Sequence, residues 1–233
     1  MLVLRSLLFN AGFFGLTALA GVLALPLLTA PRQWTLAVQR GWARVIIAMM
    51  RVLCGITLRV EGREHLPAKG PALIAAKHQS AFDTIVWFLL VPDPVYVLKA
   101  ELFRIPVWGW HARHTRMIGV DRKGGASAMR GMLREAREAA AEGRQIVIFP
   151  EGTRVAPGAR APYQPGIVAL AGATALPVIP VATNSGRLWG RRSFVKRPGE
   201  IVVKVLEPLP AGLTRAELLG ALEARIEAAQ EQL

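Results

Sequence analysis

Pro71-Ala72-Leu73-Ile74-Ala75-Ala76-Lys77-His78-Gln79-Ser80-Ala81-Phe82-Asp83 is the stretch on which the reading of the chain turns. The apolar run Ala72 to Ala76, short and bounded by Pro71, reads as a buried strand that stops at a polar cluster. The strand delivers His78 to an edge. On one continuous helix at about 100° per residue, the spacing of His78 and Asp83 puts them about 140° apart, so a regular helix cannot make them face each other. A strand-to-helix turn can. With Asp83 in the first helical turn and His78 in the loop before it, the carboxylate accepts a proton from one imidazole nitrogen and leaves the other free as a base. The competing reading is that Asp83 helps start a helix over Thr84 to Leu90 and His78 is an ordinary polar loop residue.

Outward from this stretch, strands read at Ile56 to Val60, Val95 to Ala100, Met117 to Asp121, Gln145 to Phe149, Val178 to Thr183 and Ile201 to Leu206, with helical patterns between several of them. That alternation predicts an α/β fold: a mainly parallel or mixed sheet flanked by helices. Met129, Met132, Leu133, Ala136 and Ala140 form one apolar stripe between Gly125 and Gly143. The last helix opens on the capping box Thr214-Arg215-Ala216-Glu217 and turns Leu218, Leu222 and Ile226 inward. The 233 residues, 52% of them hydrophobic, suit one such domain with an appendage.

The appendage is N-terminal. Ser6 to Ala30 carries no charge and, at about 1.5 Å per residue, is long enough to cross a hydrocarbon layer of roughly 30 Å. Asn10, Gly12, Gly15, Gly21 and Pro26 interrupt it, so a shallow hairpin with the next apolar segment fits equally. Trp34 to Leu58 mixes Trp42, Ile46, Ile47 and Met50 with Arg40, Arg44 and Arg51, as a helix lying at an interface does. Ala18-Leu19-Ala20 and Leu28-Thr29-Ala30 resemble signal-peptide cleavage sites, against which stands an apolar run longer than the usual signal core. Residues 1–55 are therefore expected to be a membrane-associating helical segment and 56–233 the globular domain. If the first segment spans, the arginines that follow it place the domain on the cytoplasmic face of the inner or plasma membrane.

Charge narrows the partners. Lys and Arg number 29 against 16 Asp and Glu, a net +13, and no single basic run accounts for the excess. The aromatic residues fall largely within apolar segments instead of along a basic helix, which argues against nucleic acid. Anionic membrane lipids, attracted by about 1 kcal/mol per nearby Lys or Arg, suit a mean hydropathy of +0.34. Cys54, alone in the chain, has no internal disulfide partner.

A second block follows a strand: Phe149-Pro150-Glu151-Gly152-Thr153-Arg154. Pro150 ends the ladder, Gly152 permits a tight backbone, and Thr153 and Arg154 can point a hydroxyl and a guanidinium at one oxyanion. A turn with a surface arginine is the competing reading.

Taken together, His78 to Asp83, Gly119-Val120-Asp121-Arg122, Phe149 to Arg154 and Leu176-Pro177-Val178-Ile179-Pro180, in that order, resemble the blocks of the 1-acylglycerol-3-phosphate acyltransferase family. The resemblance covers about Val60 to Ser185. One departure is Lys77, where family members commonly carry Asn, and it puts a cation next to His78 in sequence. The resemblance implies transfer of an acyl chain from a thioester, acyl-coenzyme A or acyl-carrier protein, to the free hydroxyl of lysophosphatidic acid, with no cofactor and no metal. It implies His78 as base and Asp83 as its orienter. Lys99, Arg122 and Arg154 would hold the acceptor's phosphate, and Glu151, Gly152 and Thr153 would shape that pocket. For Lys99 the competing reading is a solvated strand end, and for Arg122 an ion pair with Asp121.

Several rivals remain at this level. Ser80 as a covalent nucleophile lacks the Gly-x-Ser-x-Gly elbow. His111 and His114 as metal ligands have no evident third ligand and two arginine neighbours, Arg113 and Arg116. Another lysolipid acceptor, such as an amino-acid-derived one, or a non-catalytic lipid-binding protein on the same fold, also fits. The basic loop Ser185 to Gly199, with Arg187, Arg191, Arg192, Lys196 and Arg197 around Trp189 and Phe194, suits a membrane surface, an acidic carrier protein or coenzyme A phosphates.

Overall fold

The structure, a computed structural model, describes residues 1–121, 124–210 and 212–233. Arg122, one of the expected phosphate ligands, lies outside the described residues. The chain begins with a helical hairpin, α1 (Leu2–Leu23) and α2 (Arg32–Met49), joined through a 3-10 turn, Leu25–Thr29, in which Pro26 stands near the start. α2 passes into a wide π turn, Met50–Cys54, and stops at Gly55, whose φ of 66° is the left-handed conformation that terminates helices. The apolar pattern that reaches Leu58 is thus divided between a helix and a strand.

The strands are β1 (Ile56–Glu61), β2 (Ala72–Ala76), β3 (Pro94–Lys99), β4 (Ile118–Val120), β5 (Gln145–Ile148), β6 (Val178–Thr183) and β7 (Gly199–Val205). Among the described residues they form one seven-stranded sheet in the order β1-β7-β6-β2-β5-β3-β4. The five neighbours from β6 to β4 run parallel, whereas β7 is antiparallel to β6 and β1 follows the direction of β7. The sheet is mixed. Around it lie α3 (Trp87–Leu90), α4 (Trp108–His114), α5 (Gly125–Ala141), α6 (Gly166–Thr174), α7 (Ser185–Leu188) and α8 (Arg215–Glu231). α8 starts at the expected capping box, with Thr214 and Glu217 each bonded to the other's main-chain N–H.

This topology collects the loops that matter. β2 lies between β6 and β5, with Ala76 opposite Val181 and Ala75 opposite Ile148. Because these strands are parallel, their carboxyl ends open on one edge, the position at which open α/β sheets bind ligands. All of β2 is buried, as a strand covered on both faces must be.

The hairpin is part of the same core. Phe9 of α1 and Leu36, Ala43 and Ile46 of α2 are buried with the sheet residues, and the Phe9 ring meets the Trp189 ring edge-on at 5.1 Å. Polar contacts fix α1 along its length: Arg5 Nε donates to Leu53 O at 2.6 Å and Trp42 Nε1 to Thr17 Oγ1 at 3.0 Å within the hairpin, and Asn10 Nδ2 donates to Phe194 O at 2.9 Å across to the body. Near its end, His111 Nε2 lies 2.8 Å from Gly21 O. The outer face of α1 is apolar and exposed at Leu4, Leu8, Phe14 and Leu19.

α2 is anchored electrostatically. Arg32 grips Asp93 with two bonds of 2.8 Å, and the buried Arg144 reaches the same carboxylate at 3.2 Å while donating to the carbonyls of Thr115 and Arg116. Burial would raise the Asp93 pKa, but the bonds and charges of Arg32 and Arg144 outweigh it and hold the carboxyl below its ordinary 3.8. Replacing Asp93 with Ala strands a buried guanidinium, and the expected cost is about 3–5 kcal/mol of unfolding free energy at pH 7. Denaturant titration in detergent checks it. A carboxyl held low contributes stability above pH 3.8 and loses it as the pH falls through its folded value, so the gap between wild type and variant should close in acid.

Candidate active site

Lys77 is the last residue to follow the ladder, its N–H donating to Val181 O at 2.9 Å, after which the chain bends over the carboxyl end of β2. Asp83 makes the bend. Its Oδ2 accepts the N–H groups of Gln79 and Ser80, each at 2.7 Å, and lies 3.2 Å from His78 Nδ1, while Oδ1 accepts the Ser185 hydroxyl at 2.6 Å. Asp83 sits in a 3-10 turn, Phe82–Thr84, ahead of α3 and outside its first turn. The two readings of Asp83 are therefore one: the carboxylate that organises the turn also holds the imidazole.

That geometry assigns the ring. A carboxylate already receiving two main-chain donors and a hydroxyl acts as an acceptor toward Nδ1, so Nδ1 carries the proton and Nε2 keeps its lone pair. Among the described residues no group hydrogen-bonds to Nε2. The His78 side chain is 12% exposed, and its ring stacks on Phe149 with centroids 4.1 Å apart and planes 18° from parallel. Phe149 thus fixes the ring plane while Asp83 fixes its rotation.

The Phe149–Arg154 block follows β5, the neighbour of β2, and divides into two parts. Gly152 adopts φ 66°, which an L side chain rarely takes, and turns the chain back. Beyond it, Thr153 is exposed and Arg154 half-buried. Burial lowers the Arg154 pKa, the Asp83 charge opposes that and Arg191 adds to it, and no carboxylate among the described residues pairs with the guanidinium. A half-buried guanidinium without a counterion suits an anionic group from outside.

Glu151 points into the interior, away from the open side of the turn. Its side chain is fully buried, Oε2 accepts the His78 N–H at 2.9 Å, and Oε1 lies 2.9 Å from Lys77 Nζ. A buried carboxylate requires a cation, and Lys77 supplies it. Burial pushes the Glu151 carboxyl up to about 7 against the lowering effect of Lys77 and of the His78 N–H, and Glu227 adds to the rise. Lys77 does not face the ring. Its ammonium lies between Glu151 and Glu227 of α8, with Tyr163 OH also donating to Glu227 at 3.0 Å.

The other sequence candidates are placed as follows. Lys99 is exposed at the carboxyl end of β3, next to β5 and on the edge that carries His78. Ser80 is buried, and its hydroxyl accepts the Phe82 N–H at 3.1 Å. Within the basic loop, Trp189 and Lys196 turn inward, whereas Arg191, Arg192 and Phe194 stay outside. A cleft of about 400 Å³ between Phe103, Arg113, Arg116, Glu135 and Arg144 is lined by none of the described candidate residues. Sequence reasoning passed over Ser185, Phe149 as a ring support, and the Lys77–Glu227 pair. The polar run Thr183-Asn184-Ser185 at the end of a buried strand was the available signal for the first.

A family model described as Acyltransferase matches residues 57–184. The 1-acyl-sn-glycerol-3-phosphate acyltransferase of Pseudomonas aeruginosa is 33% identical over 97% of this chain and 87% of its own length. Its counterpart in Limnanthes alba is 31% identical over 72% of this chain and 60% of that protein, and the mouse alpha form 30% identical over 73% and 61%. The chain thus spans about 60% of the length of these last two relatives. Among solved structures, the 1-acyl-sn-glycerophosphate acyltransferase of Thermotoga maritima superimposes with a TM-score of 0.80 at 24% identity, covering 100% of this chain and 97% of the other, a likeness of fold.

Replacing Ser185 with Ala leaves Asp83 Oδ1 without its hydroxyl donor in a buried site, an expected loss of about 1–3 kcal/mol by equilibrium unfolding. The ring should keep its proton on Nδ1, because Gln79 and Ser80 still hold Oδ2. Imidazole nitrogen NMR shifts read the tautomer directly, and a proton on Nε2 would contradict the assignment.

Proposed function

This chain belongs to the acyltransferase family and acylates lysophosphatidic acid to phosphatidic acid, and we propose that His78 is its general base and Asp83 the residue that orients it. The single observation that carries this reading is the hydrogen-bonded set of His78, Asp83 and Ser185 beside a half-buried, unpaired Arg154.

The chemistry follows from the atoms. An alcohol is a poor nucleophile near neutral pH, and an imidazole whose Nε2 is free suits removal of its proton as the oxygen attacks the thioester carbonyl. Nε2 takes that proton, and the Asp83 carboxylate stabilises the imidazolium through Nδ1–H. When the tetrahedral intermediate collapses, the carbon–sulfur bond breaks and the proton returns from Nε2 to the departing thiolate. No acyl-enzyme forms, in keeping with a Ser80 hydroxyl already engaged in its own turn.

Arg154 is the principal ligand of the acceptor's phosphate in this scheme, with Lys99 beside it on the same sheet edge and Arg122 as a third cation. Gly152 and Thr153 shape the turn that presents Arg154. The donor is acyl-coenzyme A or acyl-carrier protein, and Arg191 and Arg192 on the exposed loop suit the negative charge of either. No cofactor enters the scheme.

We place the protein on the cytoplasmic face of a membrane, with the hairpin lying in one leaflet. Two observations support the arrangement: the exposed apolar face of α1, and the contacts of Asn10 with Phe194 and of His111 with Gly21 that hold this helix along the body. A helix crossing the bilayer alone would have to give those contacts up. The arginines of α2, attracted to anionic lipids, would then lie near the headgroups.

Substituting His78 with Ala should lower kcat by about 10²–10⁴-fold with folding intact, as removal of a positioned base does. Steady-state assays with lysophosphatidic acid and either donor decide it, and near-normal turnover would end the mechanism. Arg154→Ala should raise KM for the acceptor by about 10- to 100-fold, the value of a charge-assisted hydrogen bond of about 1.5–3 kcal/mol. Replacing Leu4 and Leu8 together by Ser should weaken sedimentation with anionic vesicles while detergent-supported activity persists. Unchanged vesicle binding would remove the hairpin from the interface.

A further inference from the structure

Behind the imidazole lies a buried ionic cluster that the proposed chemistry does not use. Lys77 Nζ stands 2.9 Å from Glu151 Oε1 and 2.5 Å from Glu227 Oε1. Tyr163 OH donates to the same Glu227 oxygen at 3.0 Å. Lys77 is 1% exposed, Glu151 3% and Glu227 8%, so two carboxylates share one ammonium in a site nearly closed to water.

Taking these ions out of water is costly, so such an arrangement is not a default device for stability. Its position links three parts of the fold. Lys77 immediately precedes His78, Glu151 binds the His78 main chain, and Glu227 comes from α8, the last helix of the chain. The other charged group influencing Tyr163 is Glu223, also on α8, and the exposed Arg160–Glu231 pair joins the loop before α6 to the same helix.

We propose that Lys77 and Glu227 are positioning residues for the acyl transfer: the shared ammonium keeps Glu151 charged enough to hold the His78 main chain, and Glu227 of the C-terminal helix limits how much of that ammonium Glu151 receives. The inference rests on the reading of His78 as the base. It makes the last helix an adjustable counterweight to the catalytic loop, although no residue of that helix touches the reacting atoms.

The two partners act on Glu151 with opposite signs. Lys77 favours its charged form, whereas Glu227, a like charge, disfavours it. A pH dependence of activity should therefore move in opposite directions in the two variants. In Glu227→Gln the ammonium serves Glu151 alone, and the acid limb of the kcat profile should shift to lower pH by about one unit, with KM for both substrates unchanged. In Lys77→Met, which keeps the length of the side chain and removes its charge, the limb should shift upward and kcat at pH 7 should fall by about tenfold. Asp83 and Phe149 hold the ring in every variant, so the difference between variants reports the cluster.

A merely structural role predicts loss of activity in both variants without displacement of the profile, and either that result or two shifts of one sign would overturn the proposal. If Lys77→Met does not fold, the downward shift in Glu227→Gln still decides, and an unmoved limb there sinks the inference. His78→Ala, assayed in parallel, separates the readings. An inactive His78→Ala with unmoved profiles removes only the positioning role, whereas an active one removes the base itself.

Discussion

One carboxylate carries the geometry of this site. Asp83 gathers donors from its own loop, from the His78 ring and from Ser185 at the start of α7, so that a turn, an imidazole and the segment beyond a neighbouring strand converge on two oxygens. Buried acceptors demand partners, and in a nearly dry environment each satisfied bond also restricts the group that makes it. The imidazole is consequently held on two sides: by Asp83 along its edge and by Phe149 against its face. The remaining direction, toward Nε2, is where a hydroxyl can approach.

The sheet makes that convergence possible. β6, β2 and β5 are parallel neighbours, and their carboxyl ends bring Ser185, His78 and the Glu151–Arg154 turn to one edge although more than a hundred residues of chain lie between the first two. The helical hairpin extends the same body outward. Its inner side joins the core through Phe9 and Ile46, and its outer side is left apolar and exposed.

Glu151 shows how burial separates residues that sequence groups together. It stands beside Gly152, Thr153 and Arg154 in one hexapeptide, yet its carboxylate points behind the base while Thr153 and Arg154 lie on the more open side. The division follows from charge and solvation. An anion in the interior needs a cation, here Lys77. Lys77 in turn is next to His78 in the chain and serves the opposite side of the loop from the ring.

Much of this was legible from local pattern. The alternation of apolar runs and amphipathic stripes specified a mainly parallel or mixed α/β sheet, the abrupt end of Ala72–Ala76 at Lys77 marked where β2 stops, and Thr214 with Glu217 marked the start of the last helix, because periodicity and capping depend on residues a few positions apart. Their order also carried the family resemblance. What tertiary structure alone decided was who meets whom: Ser185 at Asp83, Glu227 at Lys77, and α1 lying along the body with its polar groups bonded to it. These contacts depend on strand order and on the burial of charges brought from distant parts of the chain, and neither quantity is encoded in the spacing of neighbouring residues.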